Sequence, residues 1–317
     1  MTVLLWGVPT EAPVAMVASE LARLRADVVV VHPGAAAGQR VCAQIGPRRD
    51  PAGAASLCGT LRADGRTVDL AAIVGAYLRP VEPGLVPRSG GTEQALGQAR
   101  RVYDALSGFT EVAPRVTGCR VANRLSAMSS NISKPFQAQA ILRHGFAIPQ
   151  TLVSDDPDEV LDFAGRHRGV VYKSCSGIRS VVTAFDADAD RGRLHRLRWC
   201  PVQFQERVEG PDVRVHVIGD EVYAAIVDST AVDYRYARAQ VGTDARLRGY
   251  RLAEEVAGRC LALAASLDLP FAGIDLKLAP DGRVVCFEVN PSPGFSWYEQ
   301  EAGLPIANAV ARWLLGG

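Results

Sequence analysis

At 317 residues the chain is long enough for two or three packed lobes, and 48% hydrophobic with 22% charged residues is an ordinary globular balance. A formal net charge of +1 argues against a dedicated nucleic-acid surface and against a polybasic membrane anchor. Seven cysteines without any C-x-x-C fit a reducing, cytoplasmic setting better than a disulfide framework or a zinc knuckle. The opening MTVLLWGVP has no basic leader and is too short to span a membrane. Val3–Trp6 therefore reads as a first strand, ending in a turn at Gly7–Pro9. From Glu11 to Arg25, the residues Val14, Val17, Leu21 and Leu24 recur at helical spacing. Val28–Val31 is an unbroken apolar run, which predicts a buried parallel strand and a right-handed βαβ opening. No G-x-G-x-x-G follows, which argues against a dinucleotide site. The segments SLCGTLR and RTVDL flank Asp64–Gly65 and predict a hairpin over Ala55–Leu70. Leu70–Tyr77 and Thr92–Leu106 read as helices. This N-terminal lobe is expected to carry substrate selectivity, with no residue singled out for it.

Arg115–Ser133 reads as a polar connector and a lobe boundary. Ser133 and Pro135 are start signals for a helix running to His144 and ended by Gly145. Lys134 at its first turn can reach an anion, or it can be a solvated surface lysine. Phe146–Val153 is a predicted strand, and Asp155–His167 a helix with an acidic first turn. In GVVYKS, Lys173 interrupts an apolar strand, which is costly unless the charge is paired. It leads into the loop CSGIRS, so a point charge sits beside backbone N–H groups, as a phosphate clamp needs. Gly177 and Arg179 belong to that loop. Cys175 has no histidine placed beside it and reads as a plain loop thiol. Val202–Val208 is a strand with the polar end Gln205–Glu206–Arg207. Val213–Ile218 carries Arg214 and His216 on one face, and Val222–Asp228 pairs with it across Gly219–Asp220. Arg214 and Arg235 can each form a bidentate fork with a carboxylate or a γ-phosphate. The bland alternatives are a surface acid for Arg214, solvent for Arg235 and a structural role for His216. Leu247–Leu267 reads as one long amphipathic helix.

Phe271–Glu299 holds the most informative pattern. GIDLKLA and RVVCFEVN are strands joined by the turn Ala279–Gly282. Glu288 and Asn290 are two apart and share a strand face, and Asp275 lies across the turn at a plausible pairing register. Two carboxylates and an amide are hard oxygen donors suited to Mg²⁺, which takes the rest of its shell from waters and phosphates. Taken alone, Asp275 would read as a solvated acid on an edge hairpin. Pro291 and Pro293 stiffen the following loop, and Gly294 lets its backbone approach a phosphate. Trp297 and Tyr298 stand beside it, either facing substrate or packing. Ile306–Leu315 is the closing helix.

GIDLK followed by FEVNPSPGF resembles the C-terminal metal site of ATP-grasp carboxylate ligases, in particular the RimK-like group and the related enzymes that cyclise ribosomal peptides. The resemblance spans about residues 120–317. It implies an α/β and α+β architecture: an ATP-grasp fold behind a small parallel-sheet (pre-ATP-grasp) lobe, divided as 1–115, 116–205 and 206–317. It implies Lys134 and Lys173 on nucleotide phosphates, adenine on the linker at Gln205 with Glu206 near its amino edge, and Asp212 on ribose. It also implies ATP with one or two Mg²⁺ ions, Mn²⁺ being an alternative, at Asp275, Glu288 and Asn290. The activity implied is ADP-forming ligation through an acyl phosphate, with Arg214 and Arg235 on the acyl group. The partners implied are a small-molecule or peptide carboxylate and an amine or hydroxyl nucleophile, without nucleic acid or membrane, and a homo-oligomer is left open. A small-molecule kinase on the same fold and a nucleotide-binding module without turnover stand as alternatives.

Overall fold

The structure is a computed structural model and describes residues 1–47, 55–85, 93–175 and 181–317. Gly177 and Arg179 lie outside these residues. The first sheet is parallel, with Asp27–Val31 at one edge, then Thr2–Gly7, Ile73–Arg79 and Arg120–Ala122. Alternation along Thr2–Gly7 splits its apolar side chains between two cores. Val3 and Leu5 pack with helix Ala12–Arg23 and with the closing helix Ile306–Leu315. Leu4 and Trp6 pack with helix Glu93–Val116 and with Leu57 and Leu61 of the hairpin. That hairpin is Ala55–Ala63 with Arg66–Asp69, and Arg40–Pro47 adds a third antiparallel strand. Its turn residues Asp64 and Gly65 have φ of 50° and 72°, the left-handed pair a tight hairpin turn needs.

Four expectations are corrected here. Leu70–Tyr77 is not a helix: Leu70–Ala72 is a single 3-10 turn and Ile73–Arg79 is an inner strand. An unbroken apolar run has no period to decide between the two. Gly75 marks the reason, since a Cβ there would collide with the Leu314 carbonyl of the closing helix. The connector Arg115–Ser133 contains the fourth parallel strand, Arg120–Ala122, and the short helix Leu125–Met128. Leu247–Leu267 is divided into the edge strand Arg246–Tyr250, paired with Glu221–Asp228, and the helix Glu254–Ser266. Phe146–Val153 is extended only from Thr151 (Thr151–Ser154), with Ala147 bridging to Val285.

The central sheet is antiparallel, in the order Thr183–Phe185, Val170–Ser174, Val202–Glu206, Thr151–Ser154. Helix Pro157–Gly165, capped by the Asp156 side chain on the Asp158 N–H, packs behind it. The C-terminal sheet runs Arg246–Tyr250, Glu221–Asp228, Asp212–Ile218, Phe271–Leu278, Val284–Asn290, all antiparallel. Val213, Val215, Ile274, Leu276 and Val289 pack on Cys260 and Leu263 of helix Glu254–Ser266. The alternate residues therefore line the opposite face, which is the cleft. Helix Lys134–Arg143 covers the outer edge of this sheet, where Gln137 bonds both backbone groups of Val289. Among the described residues no helix is long and apolar enough to cross a membrane.

Candidate functional site

Strand register assembles the site. Arg214 is directly opposite Asp275, and Asp275 is directly opposite Glu288. Directly opposed residues of antiparallel strands share a face, so these three form a row across the sheet. A bulge lies between Asp275 and Leu276 in this pairing, and Phe287 is the residue without an opposite number. That bulge re-aims Glu288 onto the cleft face while Cys286 stays in the core behind. One step along the strands lie Asp212 and Lys277, paired at 3.1 Å. One step the other way lie His216, Gly273 and Asn290.

Charges on this floor are paired. Arg214 is 5% exposed and its Nη1 donates to Asp275 Oδ1 at 2.7 Å. Burial opposes the charge on Arg214, but Asp275 and the neighbouring tyrosines outweigh it and raise its pKa above the usual value. Its Nε is buried with no hydrogen-bond partner among the described residues. Lys134 Nζ donates to Glu288 Oε2 at 2.9 Å and to Asn131 Oδ1 at 2.8 Å. Burial pushes the Glu288 carboxyl up, yet Lys134 first, then Lys173 and Arg214, hold it below the ordinary range. Asn290 Oδ1 accepts the Ser292 N–H at 2.9 Å. Asp212 is raised by burial, with Lys277 opposing.

The roof is the central sheet. Gln203 is opposite Lys173 and Gln205 is opposite Val171, so all four face the cleft. Lys173 lies within electrostatic reach of Glu288, Lys134, Arg235 and Asp275, and burial depresses its pKa. Gln205 is buried and donates to Thr151 Oγ1 at 2.9 Å. Glu206 is the one expected site residue that points elsewhere. It alternates to the other strand face, within 3.7 Å of His167 Nδ1 and 3.9 Å of Arg283 Nη1. There it borders a cavity of about 420 Å³ between the linker and the turn at Ala279–Arg283.

Arg235 grips buried Asp233 with two nitrogens, Nε to Oδ1 at 2.8 Å and Nη2 to Oδ2 at 2.7 Å, and is half exposed. Asp233 also accepts the Val182 N–H at 3.2 Å, which ties this arm to the central lobe. Tyr298 and Trp297 are packed rather than free. The Tyr298 hydroxyl meets that of Tyr234 at 2.8 Å, Tyr234 stacks on Trp297, and the Arg214 guanidinium lies over the Tyr298 ring. His216 is fully buried at the edge of that ring, and burial with Arg214 beside it keeps it neutral. Cys175 is an exposed thiol donating to the Pro201 carbonyl at 3.3 Å, with its pKa raised.

Sequence reasoning missed Lys277, Tyr234, Asp233, Asn131 and Gly273. Lys277 was recoverable, being two residues from Asp275 on one strand face. Gly273 was too, since a strand-interior glycine often marks a close approach. A side chain there would collide with the Arg214 guanidinium and with Pro293.

Among the described residues no group of three or more His, Cys, Asp or Glu could hold a metal. Asp275, Glu288 and the Asn290 amide instead offer hard oxygens from neighbouring strands. That partial shell of hard oxygens fits a divalent ion completed by phosphate and water. Around it, Lys134, Lys173, Arg214 and Arg235 outnumber the carboxylates of Asp233, Asp275 and Glu288, so the cleft has an excess of positive charge for a polyanion.

A RimK-like ATP-grasp domain is matched over residues 133–314. A probable alpha-L-glutamate ligase of Xanthomonas euvesicatoria is 30% identical over 238 residues, 66% of this chain and 79% of that protein. The macrocyclase MdnC of Microcystis aeruginosa, solved with its precursor peptide, superposes with a TM-score of 0.78 over 100% of both chains at 21% identity. The ATP-grasp ligase PsnB, solved with a phosphomimetic variant of a minimal precursor, Mg and ADP, does so at 0.74 and 25% identity, covering 99% of this chain and 97% of its own. With the family match spanning more than half its length, this chain belongs to the RimK-like ATP-grasp ligases.

Proposed function

We propose that this enzyme activates a carboxylate as an acyl phosphate at the expense of ATP and joins it to an amine or hydroxyl, with a peptide as the carboxylate carrier. The observation that carries this reading is the convergence of Lys134 and Lys173, from separate elements, on Glu288 beside the Arg214–Asp275 pair. Along the cleft, the linker backbone at Gln205–Arg207 takes adenine, Asp212 takes ribose, and the two lysines take phosphate. The Glu206 carboxylate, turned toward His167 and Arg283, contributes through its backbone rather than at the amino edge of the base. Asp275, Glu288 and Asn290 hold Mg²⁺, or Mn²⁺ in its place. Bound there, the ion supplies positive charge and orientation to the phosphate oxygens. A substrate carboxylate oxygen attacks the γ-phosphorus and the bond to ADP breaks. Arg235, with Arg214 behind it, holds the carboxylate and then the acyl phosphate. The nucleophile attacks the carbonyl carbon, loses its proton, and inorganic phosphate leaves. Positioning and electrostatics account for the catalysis, as in other phosphoryl transfers, and no protein nucleophile is required.

The division into lobes 1–115, 116–205 and 206–317 and a cytoplasmic location are parts of the same proposal. Arg120–Ala122 crosses the first boundary to complete the N-terminal sheet. Hydroxylamine added to enzyme, Mg-ATP and a candidate acidic peptide tests the chemistry. A hydroxamate with stoichiometric ADP is the expected result. A stable phosphorylated product without hydroxamate would replace the ligase with a kinase. Nucleotide binding without ADP release on any acid would leave a binding module.

A further inference from the structure

The turn that follows Asn290 is held from the N-terminal lobe. The Asn123 side-chain amide donates to the Pro291 carbonyl. Arg79 Nη1 lies 3.1 Å from the Ser292 carbonyl, 3.0 Å from Ser292 Oγ and 3.1 Å from the Pro293 carbonyl. Three consecutive carbonyls are thus fixed by two side chains. Arg79 ends the strand Ile73–Arg79, and Asn123 follows its parallel neighbour Arg120–Ala122. The turn therefore sits on the carboxyl edge of the parallel sheet, where open α/β sheets place their ligands. Glu11 braces the far side of the guanidinium, at 2.8 Å from Nε and 2.5 Å from Nη2. Arg79 is 14% exposed, and its donors are directed at Glu11 and the turn. On the other side, the Ser292 N–H bonds Asn290 Oδ1, so the backbone at Ser292 sets where that amide oxygen points.

We propose that Arg79, braced by Glu11, is a positioning residue: it holds Ser292 and Pro293 so that Asn290 stays turned to Asp275 and Glu288, and it thereby makes divalent-ion binding depend on the N-terminal lobe. The inference rests on the reading of those three residues as the ion's ligands. Groups that orient ligands without touching the ion change its affinity by about 10- to 100-fold when removed. A purely structural arginine would instead lower the melting temperature and weaken nucleotide binding with and without the ion.

The test titrates Mn²⁺ into the full-length protein with ADP, followed by electron paramagnetic resonance. ADP binding in chelator and thermal melting are measured in parallel. Arg79→Met is expected to weaken Mn²⁺ by about tenfold or more and to leave metal-free ADP binding unchanged. Arg79→Lys should recover part of the loss, and Glu11→Gln should show a smaller one. A wild type that takes up no Mn²⁺ with ADP defeats the ligand reading itself. A wild type that does, with Arg79→Met indistinguishable from it, overturns this inference alone. So does a parallel loss of metal-free ADP binding. If Arg79→Met fails to fold, Glu11→Gln and Ser292→Ala decide, and unchanged Mn²⁺ affinity in both rejects the proposal.

Discussion

On the floor of the cleft nearly every functional side chain already has a partner in the protein. Arg214 holds Asp275, Lys134 holds Glu288, Lys277 holds Asp212, and Tyr234 holds Tyr298. The roof is different, for Lys173 is half-buried, with Lys134 and Arg235 as well as Glu288 and Asp275 within electrostatic reach, and its charged form is disfavoured. A floor of paired charges keeps its geometry before any ligand arrives, at the cost that removing one member strands the other. A roof lysine with a depressed pKa is relieved only when an anion comes close. On the proposed function the floor is preorganised and the nucleotide completes the roof, so substitutions on the two sides should fail in different ways.

The largest effect is expected at Glu288→Gln. Glutamine keeps the shape and Lys134 keeps Asn131, so folding should survive. In the proposed site the charge facing the ion and the phosphates would be lost, and turnover should fall by roughly 10²- to 10³-fold, the scale of removing one preorganised electrostatic group. ADP release is the measurement. A loss of only a few-fold would take Glu288 out of the ion's shell and return the Lys134–Glu288 pair to a structural role.

Lys173→Met is the corresponding test of the roof, and its signature is different. A lysine whose folded pKa lies below its unfolded value opposes folding while both states are protonated, and the penalty fades as pH rises through the window between the two. Methionine removes that penalty, so the free protein should be at least as stable as wild type at neutral pH. Saturation with Mg-ADP at a hundredfold excess over its dissociation constant should stabilise wild type by about 2.7 kcal/mol, and this gain should largely vanish in the variant. Phosphate placed beside Lys173, as proposed, would raise its pKa again, so wild-type binding within that window should take up protons, seen as a dependence of calorimetric heat on buffer ionisation enthalpy. Loss of stability in the free variant would mean that Lys173 is a structural partner of Glu288.

How much of this was readable from the chain depends on sequence distance. The hairpin that carries Asp275 and Glu288 closes over the short turn Ala279–Gly282, so the pairing of its two strands follows from local pattern, while the direct opposition of the two acids depends on a bulge. The Ser133 cap and Pro135 likewise announce the helix that presents Lys134. The bulge at Phe287 leaves no mark in an apolar run. Leu70–Tyr77 misreads for the same reason, because burial on both faces erases the alternation that separates strand from helix. Glu206 was assigned by motif, while period two already puts it on the opposite face from Gln205. Arg79 could not be found at all: its partners in the turn lie 213 and 214 residues away and Glu11 lies 68 away, and nothing local distinguishes it from any arginine ending a strand.

Arg235 stands between floor and roof, and its effect should be intermediate. It is half exposed, but it grips a buried carboxylate that also anchors Val182. Arg235→Ala should leave ATP affinity nearly intact and cost acid-dependent turnover about 1.5–3 kcal/mol, the range of a hydrogen bond to a charged group. Lysine supplies charge without the fork and should restore only part. Calorimetry with ATP beside acid-dependent ADP formation separates the outcomes. Weakened ATP binding with unchanged acid dependence would move Arg235 onto the nucleotide.

The smallest effect is expected at Tyr234→Phe, which asks whether the floor's aromatic clasp is packing or contact with substrate. The Tyr234 hydroxyl bonds the Tyr298 hydroxyl at 2.8 Å, its ring stacks on Trp297, and the Tyr298 ring lies under Arg214 and against His216. Burial raises the pKa of both phenols, so neither is a proton donor or acceptor in ionised form near neutral pH. Phenylalanine keeps the stack and removes one neutral hydrogen bond, worth about 0.5–1.5 kcal/mol net. The melting temperature should drop by a few degrees at most, and turnover should change little, because Arg214 remains fixed by Asp275. If Tyr234→Phe instead cost acid-dependent turnover as much as Arg235→Ala, with stability and ATP affinity unchanged, the hydroxyl would belong to the acyl site. The floor would then be only half assembled before its substrate arrives, and the contrast with the roof would narrow to Lys173.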